Sequence, residues 1–229
     1  TFETDEGLTA STFGFAGRGA LMAGEIANSI FKPFFIGRDP LYREKHWHEY
    51  RMADRWWNHA PIYSYGPFDI NCWILSALQA DQPLYKYLGA YRDKVPIYGS
   101  SLVLDSPEAY AKEALEYKKR GFNAYKLHPP GKYDFDLEAH KMAREAVGDN
   151  FKLMSDPVAP YTFEQALRFG RELEKLNYHW YEEPLFDENF HNLRELTRIL
   201  DIPIIGTEVI AKHPYSVAEC IATRVVDMV

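Results

Sequence analysis

The chain has 229 residues, of which 46% are hydrophobic and 26% charged, and its formal net charge is −7 at pH 7. This composition is ordinary for a globular protein, and a negative charge without a basic stripe argues against a nucleic-acid-binding function. No apolar run approaches the roughly 20 residues that a membrane helix requires, so we expect no membrane partner. The two cysteines, Cys72 and Cys220, lie far apart in the sequence, which favours reduced thiols and a cytoplasmic location.

Residues 1–94 are predicted to form a small α+β unit that is mainly helical. Tyr42–Trp57 is typical of a helical or loop segment, and Asp69–Leu78 has the apolar pattern of a helix. The chain opens at Thr1, without Met, in a strand-like run, and it closes in the apolar run Val225–Val229. We therefore expect an excerpt of a longer protein, with residues missing on both sides.

From Val95 onward, strand and helix patterns alternate, which is typical of parallel β/α units. Ser106-Pro107 predicts one helix start, and Thr162 with Gln165 predicts another through a capping box. Such an alternation fits a doubly wound sheet or most of a (β/α)₈ barrel. A glycine-rich phosphate turn is absent after the first strand, which favours the barrel. The predicted strands are Val95–Leu102, Asn123–His128, Phe151–Asp156, His179–Leu185, Ile202–Val209 and Val225–Val229.

Three carboxylates stand at the ends of successive predicted strands. Asp156, Glu182 and Glu208 follow one another at equal intervals of 26 residues, about the length of one strand and its return helix. In a β/α barrel, the carboxyl ends of the strands build the active site, and converging carboxylates require a cation. Asp156 before Pro157 is by itself also typical of a turn, but the joint pattern favours a divalent-metal site that suits Mg²⁺. Because neighbouring strand residues face opposite sides, we expect Glu183 to be a surface residue or a partner of Lys126.

Lys126 and His128 end the second predicted strand of the barrel. Residues i and i+2 of a strand point to the same side, so both nitrogens are expected to face the three carboxylates. A metal ion beside two nitrogen groups is what removal of a proton alpha to a carboxylate requires. We expect a Lys held beside Mg²⁺ and a second cationic group to have a lowered pKa. His128 before Pro129-Pro130 is alternatively a residue that caps the strand end.

The same motifs resemble those of the enolase superfamily, most closely its mandelate racemase-like and acid-sugar dehydratase members. The resemblance covers essentially the whole chain. It rests on motifs that occur in the family's order: Thr4-Asp-Glu-Gly7, Gly37-Arg-Asp-Pro40, Leu88-Gly89, Val95-Pro96, Tyr125-Lys-Leu-His128, Ser155-Asp156, Tyr181-Glu-Glu-Pro184 and Gly206-Thr-Glu208.

The resemblance implies a two-domain protein. Residues 1–94 correspond to an α+β capping domain whose first part is missing. Residues 95–229 correspond to strands one to six of a modified (β/α)₈ TIM-type barrel whose last part is missing. A homo-oligomer is implied as well. The His–Asp dyad that this subgroup takes from strands six and seven is expected beyond Val229.

The resemblance also assigns roles within the site. Asp156, Glu182 and Glu208 correspond to the Mg²⁺ ligands, and Lys126 to the first Lys of the family's Lys-x-Lys pair. His128 replaces the second Lys, which is usually the proton-abstracting base.

A second departure from the family concerns Val158, which stands where many relatives have Asn. The implied function is Mg²⁺-dependent formation of an enediolate from a small hydroxy-carboxylate, with dehydration of an acid sugar as the main expectation. A racemase or epimerase that uses the same half-site is one alternative. A non-catalytic metal- or carboxylate-binding relative is another.

Overall fold

The structure, a computed structural model, describes residues 1–14, 19–55, 60, 62–208 and 214–229. The ends of two predicted segments, Trp56–Trp57 and Val209, therefore lie outside the described residues. The chain divides into two compact units, Thr1–Lys94 and Val95–Val229. Within the described part of the chain, no helix is both long enough and apolar enough to cross a membrane.

The first unit is a small antiparallel ribbon followed by helices. Its apolar core is aromatic, with Phe31 and Tyr50 fully enclosed and the rings of Phe31 and Phe68 stacked at 4.5 Å. Both segments predicted as helical in this unit contain helices. The elements are β1 (Phe2–Glu3), β2 (Thr9–Ala10), α1 (Ala20–Ile26), a π-helical turn (Ala27–Phe31), α2 (Lys32–Phe35), α3 (Arg43–Asp54), a 3₁₀ turn (Ile62–Ser64), α4 (Gly66–Gln79) and α5 (Leu84–Tyr87).

The second unit alternates strands and helices, as the sequence predicts. Within the described residues it forms a five-stranded parallel sheet in the order β3-β4-β5-β6-β7. Strand order that follows chain order without a reversal is the arrangement of a TIM-type barrel and not of a doubly wound sheet. The elements are β3 (Gly99–Ser100), α6 (Pro107–Lys119), β4 (Ala124–Leu127), α7 (Tyr133–Val147), β5 (Lys152–Ser155), α8 (Phe163–Lys175), β6 (Trp180–Glu182), α9 (Phe190–Ile199), β7 (Ile204–Ile205) and α10 (Pro214–Ala222).

Both helix starts predicted from capping signals are confirmed. The Ser106 hydroxyl accepts a hydrogen bond from the Ala109 amide at the start of α6. At the start of α8, Thr162 and Gln165 form the complete reciprocal capping box. Each cap supplies a partner for an amide that the first helical turn leaves free, which stabilises the helix by about 1 kcal/mol.

The sixth predicted strand is wrong as a strand. In Val225–Val229 a single residue, Met228, forms a parallel bridge with Ile205. The physical reason lies in Asp227, whose side-chain carboxylate accepts the Ile204 amide at 3.0 Å. The main-chain amides of Asp227 and Met228 both donate to the Ile204 carbonyl, so side-chain bonding replaces a continuous ladder.

The strands separate an apolar outer layer from a polar inner face. Leu127, Tyr181 and Ile204 point toward the helices and belong to the main apolar core. Ser155 lies in register between Leu127 and Tyr181 in the same outer layer. Because side chains alternate along a strand, the next residue, Asp156, points inward. The inner face at the carboxyl ends of the strands therefore carries the candidate site.

Candidate active site

The Lys126 ammonium joins two carboxylates from neighbouring strands. Its Nζ lies 2.9 Å from Asp156 Oδ2 and 3.0 Å from Glu182 Oε2. Lys126 is 7% exposed and Asp156 is 3% exposed, so their contact is shielded from water. The Trp180 indole also donates to Glu182 Oε2 at 3.0 Å. One charged side chain at or directly after the carboxyl end of each of the strands β4, β5 and β6 thus meets the others.

His128 reaches the same carboxylate from the end of β4. Its Nε2 lies 2.9 Å from Asp156 Oδ2, and its backbone amide donates to Ser101 Oγ at 2.9 Å. The Tyr110 hydroxyl donates to the His128 carbonyl at 2.7 Å. Residues i and i+2 of the strand end therefore place Lys126 and His128 on one oxygen atom of Asp156.

These contacts change the pKa values of the three groups. Burial alone raises the pKa of Asp156, but hydrogen bonds from His128 and Lys126 outweigh burial and hold it below its usual value. The hydrogen bond to Asp156 raises the pKa of His128 more than burial lowers it. Burial lowers the pKa of Lys126, but contacts with Asp156 and Glu182 outweigh it, so the pKa is raised. The nearest charges in this arrangement are anions, so the lowered pKa expected for Lys126 beside Mg²⁺ stays a prediction.

Glu183 lies in a place that the alternation rule did not predict. Strand β6 ends at Glu182, and Glu183 has a φ of +42°, so regular alternation stops between them. Glu183 is buried, and Lys126 contacts Glu182 instead of Glu183. Burial, followed by the charges of Asp187, Asp156, Glu208 and Glu182, raises the pKa of Glu183 to about 7. The acidic cluster thus contains more residues than the three predicted from the sequence. The sequence feature that indicated the addition is that acidic residues, Glu183 and Asp187, follow Glu182 closely.

Glu208 does not join the contacts between Lys126, Asp156 and Glu182. It is exposed in a turn after β7, although its charge acts on Glu183. Within residues 1–14, 19–55, 60, 62–208 and 214–229, no three His, Cys, Asp or Glu side chains are arranged to hold a metal ion. In the structure, the Lys126 ammonium is the cation between Asp156 and Glu182.

The donor chemistry nevertheless fits a divalent cation. The cluster of Asp156, Glu182, Glu183 and Glu208 offers oxygen donors, which Mg²⁺ prefers. Among the described residues, the buried Oδ1 of Asp156 has no hydrogen-bond partner. These four acidic side chains also outnumber the basic ones described beside them, because Lys126 contacts only Asp156 and Glu182, and His128 contacts only Asp156. Such an excess of negative charge favours a bound cation.

Comparison with known proteins identifies similar sequences and folds. The sequence model described as "Enolase C-terminal domain-like" matches residues 109–229. Arabinonate dehydratase of Saccharolobus solfataricus is 32% identical over 206 residues, which cover 87% of this chain and 55% of that protein. D-Ala-D/L-Ala epimerase of Cytophaga hutchinsonii is 32% identical over 141 residues, 62% of this chain and 38% of that protein.

A solved structure shares the architecture. The crystal structure of D-glucarate dehydratase from Agrobacterium tumefaciens, complexed with magnesium, matches with a TM-score of 0.83 and 32% sequence identity. The match covers 89% of this chain and 57% of that one. The chain thus spans about half the length, or less, of the relatives that it matches.

Proposed function

The chain belongs to the Enolase C-terminal domain-like family and so to the enolase superfamily, and on this premise we propose that it removes a proton alpha to a carboxylate. The substrate would be a small hydroxy-carboxylate, and the reaction would be dehydration of an acid sugar. One observation carries the proposal: Lys126 and His128 contact the same oxygen of Asp156, beside Glu182, at the carboxyl ends of the barrel strands.

Asp156, Glu182 and Glu208 would hold Mg²⁺. The oxygen donors, the unpaired Asp156 Oδ1 and the excess of acidic groups support this assignment. The magnesium named for the similar D-glucarate dehydratase supports it as well. When bound, the ion would bind the substrate carboxylate and offset the negative charge that develops there as the proton leaves.

His128 would accept the alpha proton. A carboxylate oxygen accepts hydrogen bonds, so the neutral His128 ring carries its hydrogen on Nε2, which faces Asp156. That tautomer leaves the lone pair on Nδ1, which lies 3.5 Å from Ser100 Oγ at the outer limit of a hydrogen bond. Lys126 is held by Asp156 and Glu182 and would instead stabilise negative charge on the substrate. The proton accepted by His128 would then pass to the hydroxyl on the next carbon, which would leave as water and give the enol of a 2-keto-3-deoxy acid.

Epimerisation is the second candidate. The same half-site would remove the proton, and a second acidic group on the opposite face of the carbon would return one. The similarity to D-Ala-D/L-Ala epimerase favours keeping this candidate. Product analysis separates the two reactions. A 2-keto-3-deoxy acid indicates dehydration, and an epimer without loss of water indicates 1,1-proton transfer.

Proton exchange in D₂O tests the proposal directly. The purified protein is incubated with aldonic acids, aldaric acids and dipeptides, and loss of the alpha-proton NMR signal is followed with Mg²⁺ and with EDTA. We expect exchange that requires Mg²⁺, falls at least 100-fold in His128→Asn and Lys126→Met, and persists in His179→Asn. The last variant makes the same His-to-Asn change at an exposed residue directly before β6. Mg²⁺ binding without exchange on any substrate would favour the non-catalytic alternative.

A further inference from the structure

A buried hydrogen bond joins helix α7 to the strand that carries Asp156. His140 Nε2 lies 2.8 Å from the hydroxyl oxygen of Ser155, and neither residue has any exposed surface. Ser155 is the last residue of β5 and precedes Asp156 directly. The bond therefore holds the outer side of the strand at the point where the inner side carries the carboxylate.

The direction of this bond follows from the second nitrogen of His140. His140 Nδ1 contacts the backbone carbonyl of Asp136, which can only accept a hydrogen bond. Nδ1 therefore carries the hydrogen, and Nε2 of the neutral ring is an acceptor. It follows that the Ser155 hydroxyl donates to His140. Burial, which lowers the pKa of His140 to about 4, keeps the ring neutral near pH 7.

The same helix holds the chain again five residues after Asp156. The Tyr161 hydroxyl donates to Asp136 Oδ2, and both residues are buried. Asp136 and His140 stand four residues apart on α7 and so share one helix face. The segment Asp156–Pro160, which we term the site loop, is thus fixed to α7 at both ends.

The site loop has a backbone conformation that requires such support. Val158 has a φ of +60° and Ala159 a φ of +57°, a region that is unfavourable for residues with a side chain and most of all for β-branched ones. The Ala159 amide donates to the Glu183 carbonyl at 2.8 Å, which ties the loop to the end of β6. Strained conformations of this kind persist where the surrounding contacts determine them.

We propose that His140 and Asp136 are positioning residues that hold the Asp156 carboxylate in its metal-binding geometry by fixing both ends of the site loop. The inference rests on the proposed function, because it assumes that Asp156 binds Mg²⁺. His140 and Asp136 act through Ser155 and Tyr161. Removal of either hydroxyl is expected to weaken Mg²⁺ binding about tenfold, as is typical for groups that orient a metal ligand.

Calorimetric titration of the purified protein with Mg²⁺ tests the proposal. We expect weaker binding in Ser155→Ala and in Tyr161→Phe, and unchanged binding in the control Thr197→Val. Thr197 also has a buried hydroxyl. It donates to the main-chain carbonyls of Leu193 in α9 and Val225 after α10. The double variant Ser155→Ala/His140→Phe removes both polar partners, so it should recover stability without recovering Mg²⁺ affinity.

The outcomes distinguish the inference from the proposed function. If the wild-type protein binds Mg²⁺ and the Ser155→Ala and Tyr161→Phe variants bind it equally well, the positioning role is wrong while the metal site stands. Recovery of wild-type affinity in the double variant would also refute it, since the bond would then serve stability alone.

If the wild type binds no Mg²⁺, the proposed metal site is wrong, and so is the proposed role of His140 and Asp136 in metal binding. Amide hydrogen exchange in EDTA then still tests whether α7 fixes the loop. The Ala159 amide should exchange at least tenfold faster in Tyr161→Phe than in the wild type. Equal rates would refute the fixing of the loop itself.

Discussion

Replacing Arg144 with methionine tests how the amino-terminal ends of the barrel strands are held. Arg144 is a buried residue of α7 that donates hydrogen bonds to four backbone carbonyls. These belong to Gly148 and Phe151 in the connection after α7, at 2.6 and 2.7 Å, and to Leu176 and Asn177 after α8, at 2.7 and 2.9 Å. One guanidinium therefore closes two chain reversals, which lead into β5 and β6.

Methionine keeps the length of the side chain but removes every donor. Each buried carbonyl left without a partner costs about 1–3 kcal/mol. Part of this is regained because water can reach Gly148 and Asn177, which are exposed, and because no charge is buried in the variant. We therefore expect a net loss of about 3–5 kcal/mol in the free energy of unfolding. At roughly 2–4 °C per kcal/mol, the melting temperature should fall by about 10 °C.

Urea unfolding followed by circular dichroism measures this loss. Arg198→Met in α9 is the matched control, since Arg198 is exposed and pairs with Glu195 on the helix surface. Such a pair contributes less than about 1 kcal/mol. Arg144→Lys should lie between the wild type and Arg144→Met because an ammonium has three donors instead of five. If Arg144→Met costs no more than Arg198→Met, the four carbonyl bonds do not hold the two reversals.

Three further predictions concern the site loop, helix α7 and the metal. Val158→Asn should raise the free energy of unfolding by about 1 kcal/mol, because Asn tolerates a positive φ better than a β-branched residue; a lower stability in urea unfolding would contradict this. Burial raises the pKa of Asp136 to about 6, so its contribution to stability is present below pH 4 and is lost as the pH rises through 6. The free energy of unfolding of Asp136→Asn, relative to that of the wild type, should therefore rise by up to about 3 kcal/mol between pH 4 and pH 7. An equal difference at both pH values would show that ionisation of Asp136 is not the cause. Mg²⁺ at 100 times its dissociation constant should stabilise the protein by about 2.7 kcal/mol. EDTA should abolish this stabilisation, and Asp156→Asn should not show it. Melting curves that do not shift with Mg²⁺ would argue against the metal site.

The sequence predicted features that depend on short-range rules. Capping residues located the starts of α6 and α8, and the alternation of strand and helix patterns located five parallel strands in chain order. The i, i+2 rule brought Lys126 and His128 to one side of β4. These rules work because each depends on the geometry of a single helix or strand, which neighbouring elements alter little.

Features that depend on tertiary contacts were not predictable in this way. Regular alternation predicted that Glu183 is a surface residue or a partner of Lys126. Instead, a positive φ after β6 accompanies its burial beside the other acidic groups, and Lys126 contacts Glu182. Apolar content predicted a strand at Val225–Val229, where a side-chain carboxylate interrupts the ladder. The contacts of His140 with Ser155 left no periodic signal, because they depend on how α7 packs against β5.

The contributions of the buried side chains of Asp136 and His140 to folding stability change in opposite directions with pH. Burial raises the pKa of Asp136 to about 6 and lowers the pKa of His140 to about 4. As the pH falls from 6.5 to 4, the unfolded chain protonates its histidine before the folded protein does, so the contribution of His140 to stability is lost. Over nearly the same range, the folded protein protonates Asp136 before the unfolded chain does, so the contribution of Asp136 is gained. Both shifts are about two pKa units in size, so the two effects largely cancel. The summed contribution of Asp136 and His140 to folding stability therefore changes little between pH 4 and 6.5, and between about pH 4 and pH 6 both side chains are mainly neutral.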